Sequence, residues 1–191
     1  MKSRLFILWL LILLAGCSAD TSKIDALYEK GGGMQESLKD LEMTYSDSAR
    51  VLLTVKSAEM ITREEDRKII EEFPKGLEVE FYQQDLRPNI WLKAGHALRF
   101  PEEKKVIVSQ HVQLYNAEND KLETSELIWD EVNQKIYTDK FIRLTQPSKG
   151  DTTYGFGFMS DLNFTRFEVK RKFSGKIEEA MLRELSSSGN P

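Results

Sequence analysis

The chain is poor in the residues that most often build chemistry, with 1 cysteine and 2 histidines among 191 residues. A single thiol excludes an internal disulfide framework and any zinc site made of several thiolates. His96 and His111 form no H-x-x-x-H pair, so no metal ligand set is assigned. There is no G-x-x-x-x-G-K-[ST] loop for a nucleotide phosphate and no G-x-S-x-G elbow for a nucleophilic serine. Gly155-Phe156-Gly157 lacks the third glycine of a dinucleotide fingerprint and marks a bend or bulge in a strand instead. No catalytic residue and no cofactor is therefore expected. A basic surplus is also missing: 27 Lys and Arg stand against 31 Asp and Glu, a formal charge of −4, which argues against nucleic acid as a partner. The longest apolar run, residues 5–14, would cover only about 15 Å as a helix, half of a bilayer core of about 30 Å. It reads as a secretion signal, not a membrane span.

What is present begins at that signal. Lys2 and Arg4 precede the run, and Leu14-Ala15-Gly16-Cys17 follows it, a stretch that resembles the lipobox of bacterial lipoproteins. The resemblance implies that residues 1–16 are removed as a signal peptide and that Cys17 is lipidated on its thiol. Loss of Lys2 and Arg4 leaves 25 basic and 31 acidic side chains. That balance gives the protein itself no attraction to an anionic bilayer, so the lipid on Cys17 does the anchoring. The expected location is the periplasm, held at a membrane, the inner one in preference to the outer.

Residues 17–41 are polar with Gly31-Gly32-Gly33 in the middle, and read as a lipid-anchored tether with a marginal helical piece at 24–29. The folded domain is expected over 42–175, followed by a tail, 176–191, with a short amphipathic stretch at 177–185. Within the domain the dominant signal is alternation. Leu77-Glu78-Val79-Glu80-Phe81 puts three apolar residues on one strand face, and Val112-Gln113-Leu114 and Phe167-Glu168-Val169 repeat the pattern. Turn-forming clusters at 101–104, 116–120, 132–134 and 147–150 separate such runs. Residues 56–73 suit a helix by propensity, and two strands joined by a charged turn about as well.

A repeat of 29 residues relates Phe100 to Trp129, Ser109 to Thr138 and Val112 to Phe141, as expected of strand pairs that stack and cover each other's apolar face. Stacked in register, Leu77, Val79, Phe81, Leu98, Phe100, Val112, Leu114, Leu127, Trp129, Ile136, Phe141, Phe156 and Phe158 would form one inward-facing apolar surface. On composition alone, an ordinary filled core is the commoner meaning of such a set.

Three stretches together resemble the LptC family of lipopolysaccharide export. They are Thr44-Tyr45-Ser46-Asp47-Ser48 with 51–58, Phe73-Pro74-Lys75-Gly76-Leu77-Glu78-Val79-Glu80-Phe81-Tyr82, and 122–130 with Lys135-Ile136-Tyr137-Thr138-Asp139. The resemblance covers about 44–169. It implies an all-β, open twisted β-jellyroll of stacked antiparallel strands, and it favours strands over 56–73. It also implies that the apolar surface is a slot for the acyl chains of lipopolysaccharide. The implied partners are the subunits of an inner-membrane ABC transporter and a downstream periplasmic β-jellyroll protein, met through sheet edges at Thr44, Val51, Leu53 and Val55 and at Phe164, Phe167 and Val169. The chain has no ATPase motif, so the work of transport belongs to the transporter. Many family members have a membrane-spanning helix where this chain has a lipobox. The competing expectation is a lipid-anchored assembly protein that binds partners by its strand edges and carries no lipid.

Overall fold

A computed structural model describes residues 35–83, 87–162, 164, 166–172, 183 and 185. The expected signal peptide, Cys17, the tether up to residue 34 and most of the tail lie outside the described residues.

Period-two alternation produces strands almost throughout. They are β1 (Glu36–Asp47), β2 (Arg50–Glu65), β3 (Lys68–Phe73), β4 (Leu77–Tyr82), β5 (Pro88–Ala94), β6 (His96–Phe100), β7 (Lys105–Asn116), β8 (Lys121–Asp130), β9 (Lys135–Gln146), β10 (Asp151–Asp161) and β11 (Phe167–Lys172). All pair antiparallel in one sheet, ordered β11-β10-β9-β8-β7-β5-β4-β2-β3-β6, with β1 added to β2 and β6 also paired to β7. The expected all-β architecture is what the residues form. Residues 56–73 are indeed two strands: the charged Asp66-Arg67 pair turns with φ of 50° and 63°, the mirror-image turn that suits a right-twisted hairpin.

The pairing shows how the sheet bends. β3 and β4 are halves of one line, since both pair with β2, and β5 and β6 are halves of another, since both pair with β7. The first line breaks over Pro74-Lys75-Gly76 and the second at Gly95. At the same level the register slips between Ser109 and Val112 in β7, between Thr124 and Ile128 in β8, and between Phe156 and Phe158 in β10. Each slip inserts unpaired residues and kinks its strand. Aligned across the sheet, the kinks fold it into two half-sheets whose apolar faces meet in an open, jellyroll-like arrangement. The 29-residue repeat marks this line, because Ser109/Val112 and Thr138/Phe141 flank equivalent kinks in β7 and β9. Gly155-Phe156-Gly157 is the bulge expected of it, with Gly157 at φ 76°.

One core joins the halves. Val79, Leu92, Leu114, Leu122 and Leu144 come from one half-sheet, and Val106, Val108, Leu127, Ile136 and Phe158 from the other. Phe81 and Trp129 meet edge to face across the fold, 5.5 Å between ring centroids.

Some placements differ from expectation. β1 begins at Glu36, paired to Thr62, so the sheet starts before residue 42, the expected start of the folded domain. Strand β2 is not an edge, because Leu53 pairs with Tyr45 on one side and Phe81 on the other, and Val55 with Met43 and Val79. Val51, Leu53 and Val55 therefore lie on an interior strand, and the amino-terminal edge is β1, which carries Thr44. At the opposite end β11, with Phe167 and Val169, pairs only with β10 among the described residues. Phe164 is not on that edge; it lies before the strand, 4% exposed in the core.

Candidate apolar binding site

Where the half-sheets diverge toward β1, their inward side chains leave a cavity of about 290 Å³. Alternation decides what lines it. Leu53 and Val55 of β2, Leu77 and Val79 of β4, and Leu92 of β5 face it from one half-sheet, while Val106 and Val108 of β7 and Trp129 of β8 face it from the other. Met43 and Tyr45 of β1 and Phe73 of β3 complete the wall. Leu52 reaches it through a bulge: β1 and β2 slip register between Tyr45 and Ser46, leaving Leu52 unpaired and 47% exposed at the rim.

One end of the cavity is polar. Arg99 of β6 lies there with Lys104, Glu131 and Gln134 from two turns. Its Nη1 donates to Glu71 Oε2 at 3.0 Å and its Nε to Glu131 Oε1 at 3.4 Å, and its guanidinium sits 5.7 Å from the centroid of the Tyr45 ring. Burial works against the charge on Arg99, but Glu71, Tyr45 and Glu131 outweigh it and hold the guanidinium more firmly protonated than usual. Burial also pushes the Tyr45 phenol up, with Arg99 opposing. The rim is thus a fixed arrangement of charge, and the interior is hydrocarbon. Trp129 Nε1 is buried with no hydrogen-bond partner.

The interior of the cavity is lined by hydrocarbon, and its charged side chains, Arg99, Lys104 and Glu131, stand at one end. Among the described residues no group of three His, Cys, Asp or Glu side chains is placed to hold a metal ion, and no helix is long and apolar enough to cross a membrane.

The expected slot residues separate into three sets. Leu77, Val79 and Trp129 line the cavity. Phe81, Val112, Leu114, Leu127, Ile136 and Phe158 are buried in filled core. At the carboxy-terminal end Phe158, Phe164 and Phe167 close the interior with mutual ring distances of 5.7–5.9 Å. The other four depart from the expected surface. Leu98 and Phe100 alternate with Ala97 and Arg99, whose side chains point inward, so they face the other way and are half-buried. Phe141 is buried but packs on Tyr154 and Phe156 outside the main core, with Arg171 over the Phe156 ring. For Phe100 and Phe141 the reason is the offset: the ladders relate Val106 to Ile136, Val112 to Ile142 and Leu114 to Leu144, 30 residues apart on both sides of the kink, and a match at 29 is one residue out of step, which turns an inward side chain outward.

Sequence reasoning had assigned Leu53 and Val55 to an edge and did not find Leu52, Leu92, Val106, Val108 or Arg99. Val106 and Val108 had a readable signal, the β-branched run Val106-Ile107-Val108, but that run is apolar on both faces and does not show which one is inside.

No family model and no curated protein matches this chain. The functional reading rests on the sequence motifs and on this cavity.

Proposed function

We propose that this protein is a periplasmic, membrane-anchored lipopolysaccharide-transport protein. In this reading it takes lipid from an inner-membrane ABC transporter and passes it along a β-jellyroll bridge toward the outer membrane. The observation that supports the reading is the apolar cavity of about 290 Å³ between the half-sheets. With about 30 Å³ for a water-sized group, it accommodates roughly ten methylenes. At about 0.8 kcal/mol for each buried CH₂, that amounts to roughly 8 kcal/mol before the cost of association. Part of one acyl chain fits, not several. The Arg99, Glu71 and Glu131 cluster keeps the rim polar, so a headgroup would remain in water. Strand β1 at one end and β11 at the other, each paired on one side only among the described residues, offer backbone for strand addition by partner proteins.

Photocrosslinking amino acids at Leu52, Val106 and Trp129 in cells test this. Adducts with lipopolysaccharide at these positions, and none at outward Glu78, are expected. Adducts only at Glu78 or only with protein would overturn the reading. Purified full-length protein free of lipid, with protein adducts at β1 and β11, would identify an assembly protein that works through its edges.

A further inference from the structure

The two half-sheets face each other row by row. On one side Tyr45 of β1, Leu53 of β2 and Phe81 of β4 are successive pairing partners, and on the other Arg99 of β6, Val106 of β7 and Trp129 of β8 are. The ends of these rows touch. The Arg99 guanidinium lies 5.7 Å from the centroid of the Tyr45 ring, and the Phe81 and Trp129 rings meet edge to face. Between these contacts Leu53 and Val106 both line the cavity. The next rows, nearer the kinks, are its floor, with Met43, Val55, Val79 and Leu92 on one side and Phe73 and Val108 on the other. The rows of Tyr45 and Arg99 therefore form the seam along which the folded sheet closes, on the side away from its kinks.

The bonds of Arg99 decide what opening that seam would break. Glu71 is the cross-strand partner of Arg99 in β3, and Glu131 follows β8, so both carboxylates belong to the same half-sheet as the guanidinium. Tyr45 belongs to the opposite one. If Tyr45 moves away, a cation–π contact is lost but the buried charge keeps its ion pairs, so no unpaired charge is created. The element that carries Tyr45 is also the one least held. β1 is mostly exposed and pairs on one side only among the described residues. Where β1 and β2 slip register, just beyond Tyr45, Leu52 stands exposed at the cavity rim, an apolar step on the way in.

We propose that the contact between Tyr45 and Arg99 is a gate: the end of the β1–β2 hairpin lifts off Arg99, one apolar chain passes sideways over Leu52 into the cavity, and the hairpin closes over it. The inference rests on the reading of the cavity as an acyl-chain site. It adds the route and the device: a guest enters through the side of the fold, and Arg99 with its two glutamates is the fixed post against which the moving Tyr45 closes.

Stopped-flow binding of cis-parinaric acid to the full-length chain carrying Cys17→Ser, so that no attached acyl chain competes, tests this. Arg99→Met and Tyr45→Leu each remove one side of the contact. Each variant that keeps the far-ultraviolet strand signal should raise both the association and the dissociation rate at least fivefold, because both steps pass through the opened seam. Side chains that were only part of the wall would change dissociation alone. That result, or rates equal to the parent's, would overturn the gate while leaving the cavity an acyl site. Val79→Phe, which narrows the cavity floor, should weaken binding severalfold. Undiminished binding in that variant, or no binding by the parent and both gate variants, would overturn the acyl reading and the gate with it.

Discussion

Val79 is one of the small side chains that line the cavity, 3% exposed. Val79→Phe should fill part of that space. Because the new ring enters existing room, denaturant stability should fall by no more than about 1.5 kcal/mol, less than the overpacking of a tight core costs at its upper end. Lipid crosslinking at Trp129 should drop severalfold in the same variant. Equal crosslinking in variant and parent would show that the cavity does not hold lipid.

His96 provides a second residue-level consequence. Its Nε2 lies 3.0 Å from Glu72 Oε1, and Glu72 is also engaged by Arg63. Burial, and after it the Arg63 guanidinium, holds His96 below its ordinary value of 6.5. The unfolded chain therefore takes up this proton more readily than the folded one. Stability present above pH 6.5 is lost as the pH falls through 6.5 toward the folded value. Urea denaturation from roughly pH 8 to 5 should show this slope in the parent and a flatter one in His96→Gln. Identical slopes would mean that His96 is not the group responsible.

At the scale of elements, the alternation that built the strands also ranks their residues. Phe158 is 0% exposed in β10 and packs on Phe164 and Phe167, so Phe158→Ala should cost about 3–5 kcal/mol in chemical denaturation. Leu98→Ala, on the half-buried outer row, should cost well under half of that. Comparable losses would contradict the assignment of faces. The kink line has its own requirements. Gly76 sits at φ 79°, and a side chain there would run into the Ala94 carbonyl oxygen. Thr124 Oγ1 donates to the Phe141 carbonyl at 3.0 Å, satisfying a buried backbone group that the register slip leaves without a ladder partner. Strand positions and turns were legible in the sequence because they depend on neighbours a few residues apart: 77–81, 101–104 and 147–150 behave as their local chemistry dictates. The facing of Leu98, Phe100, Phe141 and Phe156 was not legible. It depends on the register in which each strand pairs with its neighbours, and that is a property of pairs of distant segments.

At the scale of the whole molecule, the two ends of the sheet differ. β1 is largely exposed and rich in charge, with Leu41, Met43 and Tyr45 turned toward the core, whereas the β11 end is sealed by three phenylalanines. The apolar cavity lies near β1, the end that follows the expected lipid anchor in the chain. Cys17→Ser should abolish lipidation and move the protein from the membrane to the soluble fraction on cell fractionation, leaving the folded domain intact. A variant still at the membrane in the same amount would mean that some other contact holds it there.

The sequence alone determined the class of this protein's structure. Alternating polarity with turn residues at short intervals makes strands, and the scarcity of cysteine, histidine and nucleotide-binding glycines leaves apolar burial as the main chemistry on offer. Tertiary structure alone decided which apolar residues enclose space and which fill it. Leu53 became a wall because β1 and β4 both pair with its strand, and Phe158 became solid core because the rings of Phe164 and Phe167 pack against it. Space between two faces is set by how far apart long-range pairing holds them, and no local pattern of residues encodes that distance.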